Sequence, residues 1–330
     1  MTGSPASAAV LGKVPWHPEF LRGSQLSSEL WAFDQWLFRN AQSRDGTSPH
    51  LTAPPSADAP PASPYGFLLQ LEPSDAAPSA IAGIVSPSHD LAGRRYPLAI
   101  AGHVAPARDV AAHPEIVPIV FEDYWHTAVD IWKEARDGPP VGGDWRLERL
   151  SKTPLESGES ALGLYVEWAE RMDVPQLCSL LGRPPDWLAG AVAAVARALG
   201  PKGGARVRSV RVPLGLAAGG ALCFWLDVVR RAAGWQRHVP SFFWSHDEQG
   251  GDALVFVAPP GDTALAKVWG GDAPFDDVCD ITAWSTPGND DASSPEPHPP
   301  VALPVSMSGT EDGVWRVLES VDALVKAQTT

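Results

Sequence analysis

The chain has 330 residues, 44% of them hydrophobic, and a formal net charge of −14. That length and apolar content specify a globular protein of one large domain or two medium ones and exclude a disordered chain. The charge argues against nucleic acid and against an anionic membrane surface as partners, because both need clustered Lys and Arg.

In chain order, residues 1–8 read as a loose tail and Leu11 to Val14 as a short strand. Leu26, Leu30, Phe33 and Leu37 fall at helical spacing, with Ser27 or Ser28 as cap, and predict a helix over about 26–42. Residues 43–64, rich in Pro, Ser and Ala, read as an exposed loop. Strands are expected at 66–71, 80–85 and 96–104. Their connections are too short for helical crossovers, so they predict an antiparallel meander. Phe121, Tyr124, Ala128, Ile131 and Ala135 share one face of a helix over 117–136, with Pro118 in its first turn. The order β-α-β-β-β-α is similar to that of longin-like or profilin-like sandwiches, an analogy of topology that carries no function.

A Gly/Pro-rich link at 137–143 precedes helices at about 160–172, 175–182 and 185–199, the last stopped by Gly200-Pro201. A strand over 206–214, a helix at 219–233, strands at 241–246 and 252–258, a helix at 262–269 and a strand at 277–283 follow. Residues 286–309 form a Pro/Ser/Asp-rich linker, and Val314, Leu318, Val321 and Val325 mark an amphipathic helix within 310–328. The expected fold class is therefore α+β. An antiparallel sheet flanked by helices forms an N-terminal domain at 9–138, and a second, helix-rich α/β portion at 139–285 packs on it.

Cys178, Cys223 and Cys279 lie far apart without a Cys-x-x-Cys pair, which speaks against a disulfide framework and a cysteine zinc site. No basic-then-apolar leader and no run of about 18 apolar residues occurs, so a cytoplasmic location without membrane insertion is expected. His103, His113 and His126 lack the spacing of metal ligands, and His246-Asp247-Glu248 reads as a turn between strands. Gly200 to Gly204 lacks the strand-before, helix-after setting of a phosphate loop, so no cofactor is expected.

The segment Ser86 to Leu98 carries the richest chemistry: Ser-Pro-Ser-His-Asp-Leu-Ala-Gly-Arg-Arg-Tyr-Pro-Leu between two apolar runs. Ser88, His89 and Asp90 hold the letters of a hydrolase triad. Adjacent residues rarely converge as one, because nucleophile, base and orienter meet from separate chain positions. The plainer reading is a loop in which Asp90 caps backbone N–H groups or pairs with Arg94 or Arg95. The two arginines have a second reading, as contacts to a partner carboxylate or phosphate. Trp16, Phe20 and Trp36 likewise either anchor a protein interface or pack the N-terminal helix against the sheet.

This segment resembles a signature of the TagF (ImpM) family of type VI secretion accessory proteins, Pro-Ser-x-Asp-x-x-Gly-Arg-x-Tyr/Phe-Pro-Leu. Pro87, Ser88, Asp90, Gly93, Arg94, Tyr96, Pro97 and Leu98 fit it position by position. Gly12-Lys13-Val14-Pro15 to Glu19-Phe20, then Asp34-Gln35-Trp36-Leu37, match a second block, with Val14 for leucine and Glu19 for aspartate. Pro240 to Ser245 is a looser echo of a later strand. The resemblance implies a non-enzymatic cytoplasmic accessory that restrains type VI secretion after translation by binding the forkhead-associated scaffold protein. Asp90, Arg94, Arg95, Trp16, Phe20 and Trp36 are the partner-binding candidates. An adaptor that promotes assembly, and a hydrolase using Ser88 or a histidine, are the alternatives.

Overall fold

The computed structural model describes residues 7–22, 26–42, 63–71, 79–106, 108–138, 147–201, 206–235, 238–245, 250–269, 275–282 and 313–329. Residues 43–62 of the loop expected at 43–64, the linker at 286–309, the His246-Asp247-Glu248 turn and Lys202 to Gly204 lie outside them.

In chain order the elements are β1 (Ser7–Gly12), β2 (Leu21–Arg22), α1 (Ser28–Gln42), β3 (Tyr65–Leu69), β4 (Ala80–Ser86) and β5 (Leu98–Val104). Then come α2 (Glu122–Asp137), α3 (Gly158–Arg171), α4 (Val174–Leu180), α5 (Pro185–Leu199), β6 (Ser209–Pro213) and α6 (Ala218–Ala233). The chain continues through β7 (Ser241–Trp244), β8 (Asp252–Phe256), α7 (Ala264–Val268), β9 (Val278–Asp280) and α8 (Val314–Thr329). The expected helix over 117–136 is divided: a turn at Val117–Val120 precedes α2, with Phe121 between them at φ −103° and ψ 7°. Short helical turns at Arg108–Ala112 and Leu147–Lys152 have too few residues to show a periodic pattern.

The fold is α+β, built on one sheet in the order β2-β1-β5-β4-β3-β7-β8-β6-β9. Strands β3, β4 and β5 form the expected antiparallel meander. The short β6–β9 pair is parallel. Backbone pairing does not stop near residue 139. Strand β3 pairs with β7, Phe67 opposite Phe243 and Leu68 opposite Phe242, so strands from both halves share one sheet.

Period-2 alternation sorts the strand side chains between two layers. Ala9, Leu11, Phe67, Leu69, Ile81 and Val85 face α1 and α7. Val10, Leu68, Ala82, Ile84 and Ile100 face α2 and the large helical layer. Helix α1 enters its layer through Leu30, Phe33, Trp36 and Leu37, all buried. Helix α2 enters the other through Tyr124, Trp125, Ala128, Ile131, Trp132 and Ala135. Each fully buried large apolar side chain contributes about 1.5–3 kcal/mol, so packing on both faces rather than helix propensity holds α1 and α2 in place.

Candidate functional site

The two sequence blocks meet in space. Gly12 closes β1 at φ +114°, and a Cβ there would lie 1.8 Å from the carbonyl oxygen of Pro97. Only glycine fits that approach, which brings the Gly-Lys-Val-Pro block against the Tyr-Pro-Leu end of the second. Lys13 follows directly and reaches Asp90 across the chain, Nζ to Oδ2 at 2.6 Å, with both side chains almost closed to solvent.

Asp90 organises the second block locally. Its carbonyl accepts from Gly93 N at 2.8 Å, and its own N–H donates to Arg94 O at 3.0 Å. Gly93 takes φ +77°, as the end of such a turn requires. A bridge between His89 and Arg95 closes the hairpin. Oδ1 of Asp90 accepts from Ala92 N at 3.0 Å and from Arg94 N at 2.8 Å. Oδ2 accepts from Lys13 and also from Arg94 Nε at 2.7 Å. Four donors thus meet one carboxylate, which fills its acceptor capacity. Burial pushes the Asp90 carboxyl up, but the Lys13 ammonium and the Arg94 N–H groups outweigh it and hold it well below the usual carboxylate range.

The ion cluster fixes a surface. Arg94 donates through Nη2 to Pro18 O at 2.5 Å, and Leu91 N donates to His17 O at 3.3 Å, so the hairpin is tied to residues 17–20. Phe20 lies edge-on to Tyr96 with ring centroids 4.8 Å apart, and the Lys13 ammonium sits 4.6 Å from its centroid. Phe20 stays 46% exposed, Leu91 67% and the Arg94 side chain 59%. Trp16 is half-buried and donates to Ala135 O at 2.9 Å, which anchors the segment on the end of α2. Burial, together with the Asp34 carboxylate, pushes the Tyr96 phenol up, so it stays neutral.

The six expected contact residues therefore divide. Phe20, Arg94 and the half-buried Trp16 and Arg95 belong to this surface. Asp90 is interior to it and acts by holding the others. Trp36 is corrected: it is 3% exposed, stacks with Phe33 and Phe243, and donates to Pro260 O at 3.0 Å, so it is a core residue without an outward face. Lys13 and Leu91 are additions. Lys13 stands in the motif, but nothing in a separation of 77 residues marks it as the partner of Asp90.

A second charged cluster lies inside the helical layer. Asp227 on α6, 1% exposed, accepts from Arg230 at 2.5 Å, from Arg231 at 2.8 Å and from the Tyr165 hydroxyl at 3.1 Å. Arg230 Nε lies 3.0 Å from buried Glu115, and Arg231 reaches Asp322 on α8 at 2.7 Å. Burial pushes the Glu115 carboxyl up, opposed by Arg230. Among the described residues no three His, Cys, Asp or Glu side chains converge as metal ligands would, and no helix is long and apolar enough to cross a membrane.

Comparison with curated proteins finds no match. Among solved structures the chain is similar to the crystal structure of PA0076 from Pseudomonas aeruginosa PAO1, at 16% identity and a TM-score of 0.41, over 82% of this chain and 98% of that one. The model of the TagF N-terminal domain, type VI secretion system-associated, matches residues 9–139. That span contains both blocks, the Lys13–Asp90–Arg94 cluster and the surface it holds. Residues 9–139 therefore match a TagF N-terminal domain, which is type VI secretion system-associated.

Proposed function

We propose that the chain is a non-enzymatic cytoplasmic regulator that restrains type VI secretion after translation by binding the forkhead-associated scaffold protein. The surface around Phe20, Leu91 and Arg94 makes that contact, with Trp16 and Arg95 at its margin. The observation that carries this reading is the fate of Asp90. All four of its acceptor sites are spent on Lys13, Arg94 and the hairpin backbone, with none left to orient a histidine for catalysis. What the cluster supports instead is display. A rigid hairpin presents an aromatic, an aliphatic and a guanidinium group side by side, the composition of interface anchors.

The test is effector secretion in a strain that lacks the gene. Secretion rises on deletion and falls again when the wild-type chain is supplied. The pair Phe20→Ala and Leu91→Ala fails to restore restraint while remaining folded. Secretion that falls on deletion would instead identify an adaptor that promotes assembly. Ester or phosphate turnover lost in Ser88→Ala would identify a hydrolase.

A further inference from the structure

At the rim of the layer under α1, three side chains from separate parts of the chain line up. Strand register places two of them. His103 on β5 stands opposite Ile81 on β4, and Ser79 lies two residues before Ile81. Period-2 alternation therefore makes Ser79 and His103 diagonal neighbours on one face, the face that Ile81 and Ala101 turn toward α1. The third, Glu29, comes from the first turn of α1. The Ser79 hydroxyl lies 2.8 Å from His103 Nε2, and His103 Nδ1 lies 3.8 Å from Glu29 Oε2.

The order is hydroxyl, imidazole, carboxylate, each next to the other and each from a different element. Convergence of that kind is what the adjacent Ser88, His89 and Asp90 lack. The backbone N–H of Glu29 and the Ser27 and Ser28 hydroxyls hold the Glu29 carboxyl below its usual range, so it is ionised at neutral pH. A carboxylate beside Nδ1 favours the tautomer with the proton there, which leaves Nε2 to accept from Ser79. The 3.8 Å separation is long for a hydrogen bond, and contacts of this type tighten once a reactant is bound. The cluster is open to a reagent: the Glu29 side chain is 38% exposed and that of His103 19%, and Ser79 is half-buried. Ser7 stands opposite His103 across the β1–β5 pair, and its buried Oγ finds no hydrogen-bond partner among the described residues. A buried hydroxyl left unspent is uncommon. This one suits an acyl oxygen as that atom gains negative charge.

We propose that Ser79 is an activated nucleophile, with His103 as its base and Glu29 as the positioning carboxylate, and that it takes an acyl group from an activated ester or thioester. Ser79 Oγ forms a bond to the acyl carbon, and its proton passes to His103 Nε2. The C–O or C–S bond of the donor breaks, and the imidazolium returns the proton to the departing alkoxide or thiolate. The product is the chain itself, acylated at Ser79. The proposal goes beyond the scaffold contact and does not rest on it. Strands β4 and β5, seven residues each, carry Ser79 and His103 at one end and the Asp90 hairpin at the other, roughly 20 Å away.

The test uses the full chain and a fluorophosphonate probe, whose P–F bond an activated serine displaces, with the site read by peptide mass spectrometry. The adduct forms at Ser79. Ser79→Ala abolishes it, and Ser88→Ala leaves it at the wild-type rate. His103→Ala slows labelling at least about a hundredfold, and imidazole added to the buffer restores part of it. Glu29→Gln slows it about tenfold, and Glu29→Asp, which keeps the charge, slows it less. Ser7→Ala slows it at least about tenfold. Circular dichroism checks each variant for the native fold, and Glu29→Gln decides if His103→Ala does not fold. p-Nitrophenyl acetate separates this proposal from the regulatory reading. A burst of nitrophenol that stops after one equivalent and is lost in Ser79→Ala supports both. Steady turnover through Ser79 upholds the nucleophile and removes the non-enzymatic reading. A folded wild-type chain without an adduct at Ser79 overturns the proposal. So does a labelling rate that is unchanged in folded His103→Ala or Glu29→Gln, which would make Ser79 an ordinary surface hydroxyl.

Discussion

The molecule uses the same device in two places, a buried aspartate shared between two cations, and the outcomes differ. Around Asp90 the cations are Lys13 and Arg94, and the carboxylate also caps its own hairpin. Around Asp227 they are Arg230 and Arg231, which pass the charge on to Glu115 and Asp322. The first cluster lies just beneath the surface and fixes what one hairpin displays. The second lies in the helical layer and joins α6 to the turn at Glu115, to α3 and to α8. A buried ion pair is weak evidence for net stability, but removal of one partner strands the others. The contrast therefore predicts different damage from the same mutation.

The largest effect is expected from Asp227→Ala, which leaves Arg230, Arg231 and the Tyr165 hydroxyl without their shared acceptor. Urea denaturation should show a loss of about 3–5 kcal/mol and a lower midpoint. Asp90→Ala should cost about 2–3 kcal/mol, because Lys13 is stranded but the hairpin lies near water. It should also raise amide exchange at residues 91–96 before it does so in the β3–β4–β5 meander.

The two clusters should next part company in their response to pH. The Asp90 carboxyl is held below its usual value, so its contribution is present above about pH 4 and is lost as pH falls toward the depressed native value. The Glu115 carboxyl is raised, so its contribution is present below about pH 4 and is lost as pH rises through the native value. Stability measured from pH 2 to 7 should therefore show Asp90→Asn flattening the acid limb and Glu115→Gln removing a decline above it. The smallest effect belongs to Arg39→Ala. Its pair with Asp262 at 3.0 Å is more than half exposed, and the change should stay within about 0.5 kcal/mol.

Much of the frame was legible because it is local. The strands at 80–86 and 98–104 and the helix at 185–199 follow from apolar runs and a Gly-Pro stop. The hairpin chemistry of Asp90 and Gly93 was legible for the same reason, since an Asx turn and its glycine lie within four residues. What the sequence hid is long-range. No spacing rule links Lys13 to Asp90, Trp36 to Pro260, or Asp227 to Glu115 and Asp322. Trp36 carries the same helical period whether its ring turns inward or outward, so only the register of α1 against Phe67 and Phe243 could decide. The pairing of β3 with β7 was hidden likewise, because short apolar strands do not specify their neighbours.

The central claim is that the Asp90 cluster holds a binding surface, and affinity for the scaffold tests it most directly. The purified forkhead-associated scaffold should be titrated calorimetrically into the wild-type chain and into the Phe20→Ala, Leu91→Ala double variant. Both side chains are exposed, so the variant should keep the wild-type melting temperature within a few degrees. If they are interface anchors, the dissociation constant should rise at least about thirtyfold, the loss of about 2 kcal/mol. Unchanged affinity in a folded variant would contradict the account and remove this surface from the interface.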